Sequence, residues 1–582
     1  MNALAIPDAL LPGLTALAIL LPLLLAFRPA ATGWAALAPL PALLLALGPA
    51  FEVRVDALIL GARFGIHPGN APFLLLASLL WATATWFARH YMAHDNHATR
   101  YHVFHRLAMT GNLGLLLAQD IGSFYFFFAM MSLSSYPLVI HDGRRESRFA
   151  GRIYLALALL GEILQFAAFS LIAATATDWS FDSVRAAVIA SAQRDTILLL
   201  ALLGFGIKAA LVPLHVWLPL AHPVAPTPAS AVLSGSMIKA GLVGWMVVLP
   251  LGAVAVPHLG EAMILAGLIG AFGAAIAGVT QRQPKAVLAY SSISQMGLMI
   301  LAIGIGLARP EAMKYIFPAV ALYAIHHALA KGALFLGVGM ASSAPREAAG
   351  RAVLWAGLAL AALALAGFPF TSGAAAKIFL KSAAAEAPGD WPDRLALLLS
   401  LGAVGTTLLM ARFLWTLRQT IAHAPYEAHL AARGIWIPWL ALLALVASAP
   451  WWVASQFSPE KATAAASMKY ALTLGWPIGA GLLTAVVAII IIRRRPVEVP
   501  PGDGLIIGAW IAARAVRIYR LHRPTLGARV RAADEARTAA RTGLKNLLRA
   551  LAGTERYLRT LGVAGILFAL LSAWMIWSLG NP

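Results

Sequence analysis

Apolar stretches of about twenty residues, each long enough to cross a hydrocarbon core roughly 30 Å thick, recur along the whole 582-residue chain between short polar connections. They predict spans near 3–27, 31–50, 69–89, 104–119, 121–140, 153–176, 195–222, 228–250, 260–279, 286–307, 314–341, 353–384, 395–417, 435–456, 470–492 and 561–579. The first, Ala3 to Phe27, has neither a preceding basic segment nor a small-residue cleavage site, so it is expected to remain as a span. Two spans are interrupted. Gly204-Phe205-Gly206-Ile207-Lys208 is followed by Pro213, His215 and Pro219, and the later one carries Gly367-Phe368-Pro369-Phe370-Thr371-Ser372-Gly373 ahead of Lys377. Proline and glycine inside a span free backbone groups, which is tolerated where they line a polar cavity. The interruptions fall in the seventh and twelfth spans. A repeat of five spans re-enters the membrane from the opposite side, so the pattern predicts inverted repeats of spans 4–8 and 9–13.

Composition fixes the solvent. With 60% hydrophobic and 12% charged residues and a mean hydropathy of +0.78, the chain lacks the charge a water-facing surface of this size needs. There is no cysteine, which excludes a thiolate-ligated iron–sulfur cluster or a structural Cys–zinc site. The net charge of +20 does not point to nucleic acid, because fifteen Lys/Arg against five Asp/Glu lie between Arg493 and Arg559. Elsewhere charge sorts by connection. Arg28; Arg89, Arg100 and Arg106; Arg144, Arg145, Arg148 and Arg152; Arg282 and Lys285; Arg346 and Arg351; and Arg412, Arg418 and Arg433 alternate with acidic or balanced connections such as Asp178, Asp182 and Asp195. The positive-inside rule puts the basic set in the cytoplasm and both termini on the outer side of a bacterial inner membrane. Residues 503–559 interleave arginine with Ile511, Ala515, Ile518, Leu544, Leu547, Leu551 and Leu558, the pattern of an amphipathic helix lying on anionic lipid. A final span beyond it pins its far end, which suits a brace against neighbouring subunits.

The chemistry sits on few residues. Glu162, Lys208, Lys239, His326, His327, Lys331 and Lys377 are placed within spans, where charge costs several kcal/mol and commonly marks an ion path. His327 and Lys331 are four apart and share a helix face. The competing reading for Lys208 and Lys377 is that each only satisfies carbonyls freed at the breaks around Pro213 and Pro369; for His326 it is a packed, hydrogen-bonded histidine. Lys381 and Arg351, near span ends, are expected to snorkel. His90, His94, His97, His102 and His105 are expected in a solvated loop, since their spacing closes no zinc site. No dinucleotide fingerprint, phosphate loop or nucleophile elbow is found, so no catalytic centre, cofactor or metal is expected.

The run Gly206-Ile207-Lys208-Ala209-Ala210-Leu211-Val212-Pro213-Leu214-His215-Val216-Trp217-Leu218-Pro219, extended through His222-Pro223-Val224-Ala225-Pro226-Thr227-Pro228-Ala229-Ser230-Ala231 to Met237-Ile238-Lys239-Ala240-Gly241, strongly resembles the proton-conducting, antiporter-like membrane subunits of respiratory complex I, group 4 hydrogenases and Mrp sodium/proton antiporters. Ala289 to Gly297, His327 through Lys331 to Phe335, and Gly367-Phe368-Pro369 with Ser372-Gly373 and Lys377 extend the resemblance over roughly residues 100–420. It implies two half-channels joined by a polar axis through Lys208, Lys239, His327, Lys331 and Lys377. One position departs from the family pattern. Phe128-Ala129-Met130-Met131-Ser132-Leu133-Ser134-Ser135-Tyr136 carries alanine where the family usually has the glutamate paired with the span 7 lysine. Either Glu162, one span along, takes over the pairing, or the first half-channel is altered or inactive.

The resulting expectation is an all-α polytopic membrane protein of about sixteen transmembrane helices, with two inverted five-helix repeats, broken helices 7 and 12, and a C-terminal amphipathic lateral helix. Its divisions are 1–99 (helices 1–3), 100–255 and 256–420 (the repeats), 421–500 (helices 14–15), 501–559 (the lateral helix) and 560–582 (the last span). The expected function is proton translocation within a multisubunit energy-converting complex such as a complex I-like oxidoreductase or membrane-bound hydrogenase. Partners would be other membrane subunits and anionic lipid, with a soluble redox subunit bearing the driving chemistry. The alternatives are an Mrp-type antiporter exchanging sodium, an inorganic-carbon uptake subunit with a carbonic-anhydrase-like partner, and a scaffold that has lost conduction.

Overall fold

The computed structural model of the protein describes residues 3–494 apart from 29–32, 57, 59–60, 342–347 and 424–432. The expected lateral helix and final span, with most of the basic 493–559 segment and Arg346, lie outside the described residues. Eleven helices among those described are long and apolar enough to cross a membrane.

The N-terminal part contains α1 (Leu11–Ala26) and α2 (Leu40–Leu47), then a hairpin of β1 (Phe51–Val55) and β2 (Ala62–Ile66), then α3 (Ala71–Tyr91). The strands pair antiparallel with Phe51 opposite Ile66 and Val55 opposite Ala62. This corrects the expected second span. The apolar helical stretch Ala35–Leu47 is too short to cross about 30 Å of hydrocarbon, because the chain turns into the hairpin directly after Gly48. At Gly65 a Cβ would come within 2.2 Å of the Phe51 carbonyl oxygen, so only glycine fits there. Arg63 fastens the hairpin: its backbone N–H donates to Asp120 (2.8 Å) and its guanidinium to Asp178 (2.9 Å).

Next come α4 (Ala98–Leu117), α5 (Ile121–Val139), α6 (Arg145–Ala173), the short α7 (Phe181–Ala190), and α8 (Arg194–Lys208), which breaks and resumes as α9 (Trp217–Val224). Then α10 (Thr227–Val232) runs through a π-turn, Leu233–Met237, into α11 (Lys239–Val248). After α12 (Pro257–Val279), α13 (Pro284–Ala308) and α14 (Met313–Ala341), a second break separates α15 (Ala348–Ala366) from α16 (Ser372–Ala384). The described part ends with α17 (Trp391–His423), α18 (Arg433–Phe457), the short α19 (Pro459–Ala465) and α20 (Met468–Arg494). Both interrupted spans are therefore broken where glycine and proline placed them.

Packing recurs along the chain. α4 lies on α5, α5 on α6, and α6 on α8 and α9; likewise α12 lies on α13, α13 on α14, and α14 on α15 and α16. Glycine permits the closest approaches: a Cβ on Gly267 would meet the Gly297 carbonyl oxygen at 2.5 Å, which lets α12 and α13 touch backbone to backbone. The centre of the bundle is occupied by α13 and α14, whose membrane-crossing windows are wholly buried. Polar side chains within these windows are thus surrounded by protein.

Candidate functional site

Each break contains one non-glycine residue in the left-handed region, Ala210 (φ +59°) and Phe370 (φ +63°), a conformation that costs of order 1–3 kcal/mol and persists where surrounding structure enforces it. Lys208 is the last residue of α8, and Lys377 sits one and a half turns into α16. The two lysines end differently. The Lys377 ammonium folds back to the carbonyl of Ala366, the last residue of α15, so it satisfies a freed carbonyl as the structural reading anticipated. The Lys208 ammonium instead donates to Ser132 Oγ (3.1 Å) and Tyr154 Oη (3.3 Å), with its charge over the rings of Tyr154 and Trp217.

Ser132 also faces the carboxylate of Glu162, whose Oε1 has no hydrogen-bond partner. The order is ammonium, hydroxyl, carboxylate, with the serine accepting from the ammonium. Glu162 is 6% exposed. It reaches Lys208 because α6 and α8 touch at glycines: a Cβ on Gly161 would stand 3.1 Å from the Gly204 carbonyl oxygen. Gln165, one turn along α6, donates to that same oxygen at 3.2 Å. Ser132 lies three residues after Ala129 on α5 and so shares its helix face. The nearest carboxylate to this face thus lies on α6, at Glu162, rather than at position 129.

At the centre, the π-turn leads directly into Lys239. Its ammonium donates to the Ser234 carbonyl (2.9 Å) and lies 2.6 Å from Nδ1 of His327. The neighbouring His326, about 100° around α14, turns the other way and places Nδ1 3.0 Å from Ser372 Oγ at the start of α16. Two adjacent histidines thereby connect the lysine of the first half to the break of the second. Lys331, one turn beyond His327, donates to the Leu288 carbonyl (2.6 Å) and to Ser291 Oγ. All four side chains are buried, at 2% exposure or less.

Several polar partners carry no signature in the sequence. Tyr323 Oη donates to Gln295 Oε1 (2.6 Å), and Gln295 Nε2 to Thr406 Oγ1 (3.0 Å). His222 is wholly buried and stacked on Phe335, with neither ring nitrogen partnered; the Lys331 ammonium lies 5.9 Å from the same ring. The histidine segment needs correction. His94 and His97 are exposed, but His102 and His105 are buried in α4, which begins six residues before the predicted span. Arg106, expected in a basic connection, is also wholly buried and donates to the carbonyls of Leu25 (2.5 Å) and Arg28 (3.2 Å) at the end of α1. Among the described residues no cluster suited to hold a metal ion occurs.

The family model described as NADH:quinone oxidoreductase/Mrp antiporter, TM, matches residues 118–391, a stretch containing every one of these lysines and histidines on the axis. Residues 118–391 thus resemble the membrane module of that family. Hydrogenase-4 component B of Escherichia coli (strain K12) is 32% identical to the chain over 280 residues, 46% of this chain and 42% of that protein. The chain therefore spans about two fifths of that relative. A hydrogenase-4 component F homolog of Methylacidiphilum infernorum is 29% identical over 67% of this chain and 85% of its own length. Among solved structures, a chain of the Mrp complex from Dietzia sp. DQ12-45-1b superposes with a TM-score of 0.63 at 20% identity, covering 81% of this chain and 99% of that one. The antiporter-like fold is shared at that distance.

Proposed function

We propose that this chain conducts protons across the membrane as one subunit of a larger energy-converting complex, such as a complex I-like oxidoreductase or a membrane-bound hydrogenase. The observation that carries the reading is the pair His326–His327, one ring on Lys239 and the other on Ser372 at the second break. A proton held on Lys208 is poised by Glu162 through Ser132, and loading a neighbouring site weakens that hold by like-charge repulsion. Lysine suits such a relay because its charge can be switched by a neighbour. Residues 100–255 and 256–420 would be inverted repeats, each contributing one half-channel at its broken helix. The basic connections would face the cytoplasm and both termini the outer side of a bacterial inner membrane. Residues 501–559 would supply the lateral brace against neighbouring subunits and anionic lipid. A soluble partner would hold the driving redox chemistry.

The sodium/proton alternative is weaker on the residues described. The axis consists of ammonium and imidazole groups, which offer sodium no oxygen ligands, and Glu162 is the one carboxylate placed beside it. The test is proton flux into vesicles containing the whole complex, comparing wild type with Lys208→Ala and Lys377→Ala, each measured with and without sodium. Loss of flux in both, independent of sodium, is expected. Undiminished flux in both would sink the assignment, and a strict sodium requirement would transfer it to antiport.

A further inference from the structure

α6 is longer than a span needs. Its 29 residues rise about 43 Å, against roughly 30 Å of hydrocarbon, and Ile153–Ala173 alone covers that thickness. The first two turns, which carry Arg145, Arg148 and Arg152, therefore stand at the depth of the lipid headgroups. At about 100° per residue, Arg145, Phe149, Arg152, Leu159, Leu160 and Ile163 all fall within about 60° of one line down the helix. Phe149, Leu159, Leu160 and Ile163 are exposed, Ile163 at 64%. From the headgroup layer inward the strip runs cation, ring, cation and then bare apolar surface.

A cavity of about 530 Å³ opens beside the top of this strip, between α6 and α9, the segment that follows the first break. Arg145, Phe149 and Arg152 wall it on α6, and Pro219, Leu220 and Pro223 on α9. Gln283, just ahead of α13, adds an amide to the lining. Neither Arg145 nor Arg152 has a hydrogen-bond or ion-pair partner among the described residues, whereas the adjacent Arg144 is paired with Asp142 at 2.5 Å. Glu146 also lines the cavity, about 100° round the helix from Arg145, so it stands off the line of the two arginines. Two arginines against one glutamate leave the lining with a net positive charge. Arginines that only snorkel to water need no walled groove beside them.

We propose that the groove between α6 and α9 binds one anionic glycerophospholipid, its phosphate held by Arg145 and Arg152 and an acyl chain laid over Phe149 and the apolar strip below. A guanidinium meets phosphate through two parallel N–H···O bonds, and basic pockets between spans suit anionic head groups. Because both helices wall the cavity, the lipid touches the helix that carries Glu162 and the segment that resumes after Lys208, and ties the two together. The site uses none of residues 501–559, and it does not rest on the proton-conducting reading.

The whole complex, in vesicles of phosphatidylethanolamine, is given a trace of phosphatidylglycerol bearing a photoreactive acyl chain, and the labelled peptides are identified by mass spectrometry. Labelling is expected on α6 between Arg145 and Ile163 and on α9, displaced by unlabelled phosphatidylglycerol and not by an equal amount of added phosphatidylethanolamine. In the double variant Arg145→Gln, Arg152→Gln it should fall at least about tenfold, as the loss of a hydrogen bond to a charged group requires. Arg418→Gln, which removes an exposed arginine of α17 outside the groove, should leave it unchanged. Wild-type labelling in the double variant, or equal displacement by the two lipids, would overturn the site. The same loss in Arg418→Gln would also overturn it, since overall charge would then recruit the lipid. If α6 takes no label and a photoreactive group placed at Phe149 cross-links to another subunit instead, the groove belongs to a protein neighbour and the proposal falls. If the double variant does not assemble, displacement from the wild-type complex decides on the same terms.

Discussion

Replacing Glu162 by glutamine preserves shape while removing the one negative charge that acts on Lys208 among the described residues. Lys208 Nζ lies 3.1 Å from the serine oxygen and is attracted by the buried Glu162 carboxylate, over the roughly 4 to 6 Å at which opposite charges act on each other's protonation. At an effective dielectric of ~20 that attraction is worth about 3 kcal/mol. Glu162→Gln would then remove the charge that balances the Lys208 ammonium. The complex is reconstituted into vesicles and acidification followed with a pH-sensitive dye. Flux is expected to fall at least about tenfold while the complex assembles normally. Adding Ala129→Glu in the same chain, one turn from Ser132, should recover part of it, because a carboxylate returns to the face that holds the serine. Full flux in Glu162→Gln would refute the reasoning: Lys208 would need no carboxylate, and the hydroxyl between the two groups would be packing alone.

Other perturbations test the scaffold. Gly373→Ala would put a Cβ 1.8 Å from the Ala364 carbonyl oxygen, so the second break must distort; lower thermal stability and lost flux are expected, and a wild-type melting curve would contradict the described junction. Asp120→Ala removes the side-chain cap of α5, bonded to Ser123 N–H at 2.7 Å, and the acceptor for Arg63 N–H. A loss of about 1–2 kcal/mol should appear in denaturant unfolding, with flux retained once folded. His326→Leu breaks the bond to Ser372; flux should drop, whereas unchanged flux would assign His326 to packing.

The breaks were legible because Gly204, Pro213, Gly367 and Pro369 are punctuation that a span cannot absorb without a polar surrounding. Lys239 and His327 were legible singly, as costly groups in apolar segments, but their 2.6 Å contact joins residues 88 positions apart and no local pattern encodes it. Ser132 looked like one hydroxyl among several on α5, and its role depends on the glycine contact between α6 and α8. The polar start of α4 resembled a loop because Arg100, His102, His105 and Arg106 break the apolar pattern; α1, α3 and α5 pack on that helix, and His102, His105 and Arg106 are buried there. The second span failed for the opposite reason. Its apolar residues are real, but the hairpin at Phe51–Ile66 stops the helix before it can cross.

The claim that ties these elements together is that one proton path passes from the first half of the module to the second through Lys239 and His327. It is tested by the number of protons moved per turnover of the reconstituted complex, measured in wild type and in Lys239→Met, which keeps the stem and removes the charge. The account predicts a lower proton count per turnover with the driving reaction still running; an unchanged count in an assembled Lys239→Met complex would contradict it.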